Sequence, residues 1–339
     1  MHVLITGGAG FIGSHLAEYH LAQGDIVHVV DDLSTGSLEN IRPFLGRRDF
    51  RFDEADFLLW PDLEKAAAWA NRIYHMAAIV GMHRVLAEPT KVLAVNIAGT
   101  ERLLRAVRTG GWNPVIVLAS SSEVYGAGVH ERVAHDHFEE EADLVFHSGV
   151  LSRQNYALSK LAGEALGLSF ARKCGLRVVM VRLFNTIGPR QTGRYGMVVP
   201  RFVGRAVRGE ALQVYGNGRQ TRSFCDVRDM VLFLDALASN PAAEGQIVNV
   251  GHDREISILE LAELIRQRAG STSPIEFVPY EVAYGEEFDD CIRRKPVLDK
   301  LRSLTGLAHS WRLEETLDDL IASVRASASM RMDVPVETR

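Results

Sequence analysis

The sequence predicts an α/β fold, with a doubly wound parallel sheet covered by helices and a smaller, interleaved C-terminal α/β lobe. Two observations carry this prediction. Short apolar runs alternate with helix-length stretches through residues 1–184, as in a parallel sheet that is buried on both faces. After residue 184, Gly and Pro turns separate longer helices, which indicates a second lobe.

The chain opens on a strand, a glycine turn and a helix. Residues 1–6 are a short apolar run, and residues 14–22 have helical periodicity. Between them Gly7, Gly10 and Gly13 recur at three-residue steps, which allows a tight turn, close approach of a diphosphate and helix–strand packing. The positive end of the helix favours the phosphate charge. We therefore predict that these residues contact a dinucleotide cofactor: Gly7, Gly10, Phe11, Ile12 and Gly13.

The second predicted strand, residues 26–30, ends at a carboxylate. Asp31 follows Gly13 by 18 residues, a position from which it can accept hydrogen bonds from both ribose hydroxyls. Asp31 and Asp32 would repel a 2′-phosphate, and no arginine follows directly. The sequence therefore predicts NAD rather than NADP as the cofactor.

The same alternation predicts the rest of the fold. Further strands are predicted at 72–77, 115–119, 178–184 and 223–227. Helices are predicted at 90–108, 155–172, 198–208, 228–238 and 258–269. The first lobe would comprise residues 1–184, with 223–248 returning to it, and the second lobe residues 185–222 and 249–325. Residues 326–339 contain few apolar side chains and are predicted to be a frayed tail.

A tyrosine and a lysine are one helical turn apart in the predicted helix 155–172. Tyr156 and Lys160 therefore share a helix face, and Ser121 lies just beyond the strand 115–119. A phenol is a poor base at neutral pH, but a neighbouring ammonium and the positive ring of an oxidised nicotinamide favour the phenolate. With the Ser121 hydroxyl holding the same oxygen, these residues predict a site that takes a proton from a sugar hydroxyl while hydride leaves the carbon.

Glu123 is a further candidate catalytic residue. It follows Ser121 by two positions and would lie on the same side of an extended strand. A carboxylate in the site could manage a proton near C5 or steer a charged substituent, which a simple C4 epimerase does not need. The alternative is that Glu123 caps a helix or pairs with an arginine. We favour the functional interpretation because burial of an unpaired charge is costly.

Composition and charge argue against several other functions. The chain has 339 residues, 47% of them hydrophobic, and a net charge of −5, which argues against nucleic acid as a partner. The apolar runs are too short to span a bilayer and no signal-peptide flank precedes the first strand, so we predict a cytoplasmic protein without membrane contact. Three widely spaced cysteines fit neither a disulfide framework nor a zinc site.

Several histidines lie in the acidic segment 127–149. They do not form the i, i+4 pair with a neighbouring base that a zinc protease uses. We predict a solvated loop here, over the active site, and no metal site. The histidines are His130, His135, His137 and His147.

A series of motifs resembles, in the same order, those of extended short-chain dehydrogenase/reductases that modify nucleotide sugars, the NAD-dependent epimerase/dehydratase family. The motifs lie at 6–13, 75–78, 96–100, 121–126, 156–160 and 182–190. The resemblance implies a Rossmann lobe that binds NAD and a second lobe that binds a UDP-sugar. It also implies a homodimer built on helices 90–108 and 155–172. Enzymes of this kind oxidise C4 of the sugar, act on the ketone and usually return the hydride.

The resemblance also implies roles for single residues. Ser121, Tyr156 and Lys160 would act in the C4 oxidation, and Asp31 would bind the adenosine ribose. Arg294, in a segment that resembles the decarboxylases of the family, would bind substrate, with Arg293 as the alternative. The remaining implied contacts are Asp56, Ala77, Tyr156 and Lys160 to the cofactor, and Ser122, Asn185 and Arg222 to the substrate.

The reaction that follows the ketone stays open at this point. Segments 220–225 and 289–296 resemble UDP-glucuronate decarboxylases, which makes decarboxylation of UDP-glucuronate the leading hypothesis. Residues 157–159 depart from the decarboxylase pattern and 197–200 resemble an epimerase, so 4-epimerisation of a UDP-hexose or of UDP-glucuronate is the alternative. A 4,6-dehydratase ranks lower because Ser122 stands where many of them have Asp. A non-catalytic NAD-binding protein ranks last because the tyrosine and the lysine are both present.

Overall fold

The computed structural model describes residues 1–126, 138–146, 154–193, 197–284 and 292–332. Two sets of sequence-based predictions fall outside these ranges. The segment 127–149 is described only in part, and the four histidines considered there as metal ligands lie outside the described residues. Cys291 also lies outside them.

The described chain alternates strands and helices through its first half. The strands are β1 His2–Thr6, β2 Ile26–Asp31, β3 Phe50–Glu54, β4 Arg72–His75, β5 Val115–Ser121, β6 Arg177–Leu183, β7 Thr186–Ile187, β8 Leu212–Tyr215, β9 Thr221–Ser223, β10 Cys225–Asp226, β11 Ile247–Val250, β12 Glu255–Ser257, β13 Ile275–Val278 and β14 Arg293–Arg294. The helices are α1 Phe11–Ala22, α2 Leu38–Ile41, α3 Leu63–Trp69, α4 Met82–Ala87, α5 Pro89–Gly110, α6 Gln154–Cys174, α7 Val198–Arg208, α8 Val227–Ser239, α9 Ile258–Arg268, α10 Tyr280–Tyr284, α11 Asp299–Thr305 and α12 Leu313–Met332.

Seven parallel strands form the central sheet in the order β3-β2-β1-β4-β5-β6-β11. The chain changes direction across the sheet between β1 and β4, and ligands of such sheets bind at the carboxyl ends of the strands near this point. The predicted α/β class with a doubly wound parallel sheet is confirmed. The sheet is of the Rossmann type.

Both faces of the central sheet are buried, as the continuous apolar runs predict. Because side chains alternate along a strand, Val3 and Ile5 point to one face and Leu4 to the other. Val3 and Ile5 join a cluster with side chains of α1 and α8, whereas Leu4 joins a cluster with side chains of α3 and α5. Each apolar layer is therefore held between the sheet and a pair of helices.

A separate apolar cluster forms where α7, α9 and α12 pack around β8. Short strands accompany it: β8 pairs with β13, β9 pairs with β12 and β14, and β7 pairs with β10. The division into a cofactor lobe and a substrate lobe stays a prediction. The segment 227–250 contributes α8 and the edge strand β11 to the central sheet.

The predicted strand at 223–227 was wrong in its pairing. The backbone forms two short strands, β9 and β10, on either side of Phe224, and β10 pairs with β7 rather than with the central sheet. The strand ends at Asp226 because this side chain caps α8 by accepting a hydrogen bond from the Arg228 N–H. The return to the central sheet is made by α8 and β11.

Residues 326–332, in the predicted frayed tail, continue α12, and the fraying itself stays a prediction. Ala326 and Ala328 have the highest helix propensity of any residue type. The hydroxyl of Ser327 donates to the carbonyl of Ser323 one turn earlier, which is compatible with the helix. Residues 333–339 lie outside the described ranges.

Candidate active site

The candidate active site is a cavity of about 630 Å3 at the carboxyl ends of β1, β4 and β5. The glycine turn after β1 forms one wall, and the end of β5 with α6 forms another. All the residues that the sequence predicts for cofactor, catalysis or substrate line this cavity: Gly7, Gly10, Phe11, Ile12, Gly13, Asp31, Asp56, Ala77, Ser121, Ser122, Glu123, Tyr156, Lys160, Asn185, Arg222 and Arg294.

The glycine turn leaves bare backbone at the start of α1. Gly7 has a φ of +70°, and a Cβ there would lie 2.7 Å from the Ala77 nitrogen. A Cβ on Gly13 would overlap the Gly7 carbonyl oxygen, and one on Gly10 would lie 3.1 Å from the same oxygen. The turn therefore forms a cradle without side chains at the positive end of α1, which suits a diphosphate. The residues present fit a dinucleotide cofactor.

Two carboxylates at the cofactor end of the cavity are oriented by backbone N–H groups. Asp31 accepts hydrogen bonds from the N–H groups of Ala9, at 3.0 Å, and Leu33, at 2.8 Å. Burial raises the pKa of Asp31, and these hydrogen bonds lower it in part. Asp56 is exposed and accepts a hydrogen bond of 2.8 Å from the Leu58 N–H. Both side chains are thus held at the cavity wall in a set direction.

The predicted catalytic groups meet at the end of β5. Tyr156 and Lys160 lie on adjacent turns at the start of α6, and the Lys160 ammonium is 5.8 Å from the centre of the Tyr156 ring. Lys160 also donates a hydrogen bond of 2.8 Å to the carbonyl of Ala119 on β5. The Tyr156 phenol forms a hydrogen bond with the Ser121 hydroxyl. One phenol is therefore placed beside a hydroxyl and a buried cation.

Burial has the largest effect on the pKa values of Tyr156 and Lys160. Burial raises the pKa of Tyr156 above its ordinary value, the hydrogen bond with Ser121 lowers it, and the charge of Glu123 raises it again. Burial lowers the pKa of Lys160 to about 8. Desolvation of the phenol is the largest of these effects on its pKa, and the prediction that the Lys160 ammonium and an oxidised nicotinamide together favour the phenolate stays a prediction. Further positive charge is needed to make the phenol a base.

Glu123 reaches the cavity from a 3-10 turn, Ser122–Tyr125. The prediction of an extended strand at this residue was wrong. The turn begins at Ser121, whose hydroxyl accepts a hydrogen bond of 3.2 Å from the Glu123 N–H. The Glu123 carboxylate accepts a hydrogen bond of 2.6 Å from Arg294, so the alternative of an arginine partner is correct. Arg293 points elsewhere and pairs with Glu255. The two candidate residues Glu123 and Arg294, 171 positions apart, are thus in direct contact.

The cradle, the carboxylate after β2 and the Tyr–Lys pair occur in this order within residues 7–160. The model of the NAD dependent epimerase/dehydratase family matches residues 3–251. The chain belongs to this family. As in that family, the enzyme uses NAD, and the sequence-based predictions of the family and the cofactor are confirmed.

Relatives of this epimerase/dehydratase include two decarboxylases and a solved epimerase. The UDP-N-acetyl-alpha-D-glucosaminuronate decarboxylase of Bacillus cytotoxicus is 35% identical over 94% of this chain and 96% of its own length. UDP-glucuronic acid decarboxylase 1 of Xenopus tropicalis is 35% identical over 94% of this chain and 71% of its own length. The UDP-glucose 4-epimerase of Thermotoga maritima, solved with UDP-glucose, is 26% identical, has a TM-score of 0.85, and aligns over 97% of this chain and 100% of its own.

The cavity of this family member continues from the catalytic groups to polar side chains on β9 and the segment after β6. Asn185 donates a hydrogen bond of 3.2 Å to the carbonyl of Ser223. Arg222 is buried and donates a hydrogen bond of 2.7 Å to the carbonyl of Thr221. Ser122 is buried at the start of the 3-10 turn. All three residues line the cavity, and their contact with substrate stays a prediction.

Two residues that position the cavity wall had no role in the sequence analysis. His75, at the end of β4, is 2.8 Å from the Thr6 hydroxyl, and burial together with the charge of Lys160 lowers the pKa of His75 to about 3. Asn96 on α5 accepts a hydrogen bond of 2.8 Å from the Ile79 N–H and donates one of 3.1 Å to Ser159 on α6. Both lie in motifs that carry the family resemblance, which was the available signal.

A buried ion pair beneath the catalytic groups was also missed. Arg182 on β6 donates two hydrogen bonds of 2.9 Å to Glu164, and the Ser120 hydroxyl donates one of 2.5 Å to the same carboxylate. The Arg182 guanidinium also lies 4.7 Å from the centre of the Tyr125 ring. Glu164 follows Lys160 by one helical turn, so the pair ties α6 to β5, β6 and the 3-10 turn. In the sequence, only the spacing of Glu164 four residues after Lys160 could have indicated this ion pair.

Within the described residues, no cluster of three or more side chains is suited to a metal ion. A search of the same residues finds no helix with the length and apolar character needed to cross a membrane. Cys225 is fully buried and burial raises the pKa of its thiol well above the usual value, whereas Cys174 is exposed. The buried thiol serves as a small core residue.

Proposed function

We propose that this enzyme decarboxylates UDP-glucuronate through a transient 4-keto sugar. The observation that carries the proposal is the contact between Glu123 and Arg294 beside Tyr156 in the cofactor cavity. A neutral hexose needs neither charge near its C5 substituent, whereas a uronate brings a carboxylate that an arginine binds well. The names of the decarboxylase relatives support the same chemistry.

The first step in this proposal is oxidation at C4 of the sugar. NAD, held by the glycine cradle and Asp31, would supply the hydride acceptor for C4 and would return the hydride after the carbon skeleton has changed. Tyr156 removes the proton of the C4 hydroxyl, and Ser121 holds the same oxygen by a hydrogen bond. Lys160, 5.8 Å from the phenol ring, supplies a fixed positive charge that stabilises the phenolate once the site is occupied.

The second step breaks the bond between C5 and C6. In the 4-ketone the electron pair of this bond moves into an enolate, so the negative charge passes from the carboxylate to the C4 oxygen and carbon dioxide leaves. Arg294 orients the substrate carboxylate. Glu123 carries a fixed negative charge, which favours movement of the negative charge of the substrate carboxylate away from it. The charge moves towards Tyr156 and Lys160. Glu123 is also our candidate for managing the proton that C5 then takes up.

We assign the remaining lining residues to the two nucleotides. Gly7, Gly10, Phe11, Ile12, Gly13 and Ala77 would hold the cofactor diphosphate and nicotinamide end, and Asp31 and Asp56 its adenosine. Asn185 and Arg222 would bind the substrate diphosphate, and Ser122 the sugar. Each of these residues lines the cavity, and the division of roles follows the glycine turn and the family resemblance.

A second candidate is 4-epimerisation of a UDP-sugar. The Thermotoga maritima epimerase supports it, because that protein shares the whole fold and was solved with UDP-glucose. An epimerase returns hydride to the opposite face of an unchanged carbon skeleton. An epimerase of a neutral hexose has no use for Arg294 beside Glu123, whereas a UDP-glucuronate 4-epimerase would bind the same carboxylate as the decarboxylase. A 4,6-dehydratase ranks below it and a non-catalytic NAD-binding protein last.

Incubation of the enzyme with UDP-glucuronate is expected to yield a UDP-pentose and carbon dioxide. The products are identified by mass spectrometry, and UDP-glucose and UDP-N-acetylglucosamine are run beside it. UDP-N-acetyl-alpha-D-glucosaminuronate is included because one relative is named for it. Conversion of UDP-glucuronate to an isomer of the same mass would favour the epimerase instead, and loss of water would favour the dehydratase. No reaction with any uronate would refute the decarboxylase.

We also propose a homodimer that pairs α5 and α6 of each subunit. Along α6, Leu158 and Ala162 are half-buried and Ala165 is exposed, and together they leave an apolar stripe at i, i+4, i+7 spacing. Ala162→Glu is expected to give monomers in sedimentation equilibrium, whereas Ala242→Glu, on an exposed 3-10 turn, is expected to leave dimers. A wild-type protein that sediments as a monomer would contradict the proposal.

The extent of the substrate lobe and the cellular location both remain predictions. The substrate lobe is proposed to comprise residues 185–222 and 249–325, with residues 1–184 and 223–248 holding NAD. The cytoplasmic location also remains a prediction.

A further inference from the structure

We propose that Arg190 is a positioning residue for the cofactor. It fastens the segment 186–192 onto α1 and thereby slows release of the bound dinucleotide. The inference concerns retention of NAD only, so it does not depend on which sugar reaction follows.

The backbone of Arg190 is the first observation. Arg190 has a φ of +68°, in the left-handed region that a side chain other than Gly rarely adopts. Such a conformation persists only where its surroundings demand it, and it concentrates at functional sites. The turn is packed tightly on its other side, because a Cβ on Gly188 would lie 2.6 Å from the Val227 side chain. The unfavourable backbone conformation of Arg190 therefore sets the direction of its side chain.

The target of the side chain is the second observation. The Arg190 guanidinium donates a hydrogen bond of 2.6 Å to Glu18 and lies 3.4 Å from the Ser14 hydroxyl. Glu18 and Ser14 are one turn apart on α1, so the arginine lies along a single face of the helix. Ser14 in turn follows Gly10 by one turn, and its N–H donates to the Gly10 carbonyl. The guanidinium is therefore anchored one helical turn from the diphosphate cradle.

The segment itself links the two sides of the cavity. It follows β6 and Asn185, and it is closed by a hydrogen bond of 2.9 Å from the Gln191 side chain to the Thr186 carbonyl. Arg190 lines the same cavity as Gly10 and Asn185. Its attachment to α1 joins a wall that we assign to substrate with the helix that holds the cofactor. A positive charge at this place also favours a bound diphosphate.

Stability alone does not explain the arrangement. Glu18 is about half exposed, and exposed ion pairs contribute little to the free energy of unfolding. An ordinary surface pair would not offset an arginine in the left-handed region. The strained backbone and the attachment to α1 are explained together if the benefit appears when the cofactor is bound.

The test compares Arg190→Gln and Arg190→Gly with wild-type protein and with Arg42→Gln. Arg42 forms an exposed ion pair with Glu39 and is the matched control, because it lies away from the segment 186–192. NAD release is measured by displacement with excess labelled NAD, and the thermal unfolding of each cofactor-free protein is recorded. Both Arg190 variants are expected to release NAD about 10- to 100-fold faster, the range for loss of a hydrogen bond to a charged group. Arg42→Gln is expected to release it at the wild-type rate.

The Gly variant separates positioning from a merely structural role. Gly adopts the left-handed region without strain, so the cofactor-free Arg190→Gly protein is expected to unfold at or above the wild-type temperature while it loses NAD faster. Wild-type NAD release in both variants would overturn the proposal. Faster release that is matched by a lower unfolding temperature of both cofactor-free variants would also overturn it, in favour of a structural arginine.

Discussion

Tyr156→Phe is expected to lose nearly all oxidation at C4 while it still binds NAD. The phenol oxygen is the proposed base, and its removal leaves Ser121 and Lys160 without the group that accepts the proton. A loss of about 10²- to 10⁴-fold is expected, the usual contribution of a general base. The measurement is the appearance of NADH absorbance in a single turnover with UDP-glucuronate, together with the NAD content of the purified variant.

Tyr19→Phe is the matched control for this experiment. The Tyr19 hydroxyl donates a hydrogen bond of 3.0 Å to Asp235 outside the cavity, so the variant removes a similar group at a distance from the chemistry. It should oxidise substrate at the wild-type rate. Wild-type turnover in Tyr156→Phe would remove the basis for the assignment of the base, and loss of NAD from that variant would indicate a role in cofactor binding instead.

Glu123→Gln is expected to separate oxidation from the step that follows it. The amide keeps the shape of the carboxylate and can still accept a hydrogen bond from Arg294, but it removes the negative charge beside C5. Oxidation at C4 should continue, and loss of carbon dioxide should slow by about 10²-fold or more, because a positioned charge or proton-transfer group is missing. NADH should therefore accumulate on the enzyme while little carbon dioxide is released.

The control for Glu123→Gln is Glu255→Gln. Glu255 accepts two hydrogen bonds from Arg293, the residue next to Arg294, but lies outside the cavity lining. This variant breaks a similar ion pair and should leave both steps near their wild-type rates. If Glu123→Gln loses oxidation and decarboxylation equally, the proposed division of roles between Tyr156 and Glu123 is wrong.

Local patterns predicted the parts of the site that depend on one element at a time. The glycine turn and Asp31 follow from their spacing after β1 and β2, and the contact of Tyr156 with Lys160 follows from the helical repeat. The contact of Glu123 with Arg294 could not be predicted in this way, because the two residues lie 171 positions apart and meet only through the packing of β14 beside β9. The spacing from Ser121 selected Glu123 and the family resemblance selected Arg294, and neither indicated that the two residues touch.

The fold was likewise predictable where it depends on the sequence pattern of a single element. Buried strands such as β1 and β5 are continuous apolar runs, whereas the edge strand β3 alternates charged and apolar residues and was not predicted. The pKa of Tyr156 depends on how far the phenol is desolvated, a property of the packed cavity that no local pattern contains. Arg190 ends the motif at 182–190, but its left-handed backbone was not predictable, because a sequence does not show the sign of φ at a residue other than Gly.

The position of β11 at the edge of the central sheet bears on how the chain is made. The ribosome completes β6 about 64 residues before it reaches β11, and all of β8, β9 and β10 are synthesised between them. Until residue 250 has emerged, the nascent sheet has an open edge at β6 that can pair with other chains. The central sheet is thus completed only after β11 is made, and residues 1–184 expressed alone are expected to leave an open edge at β6 that pairs with other chains.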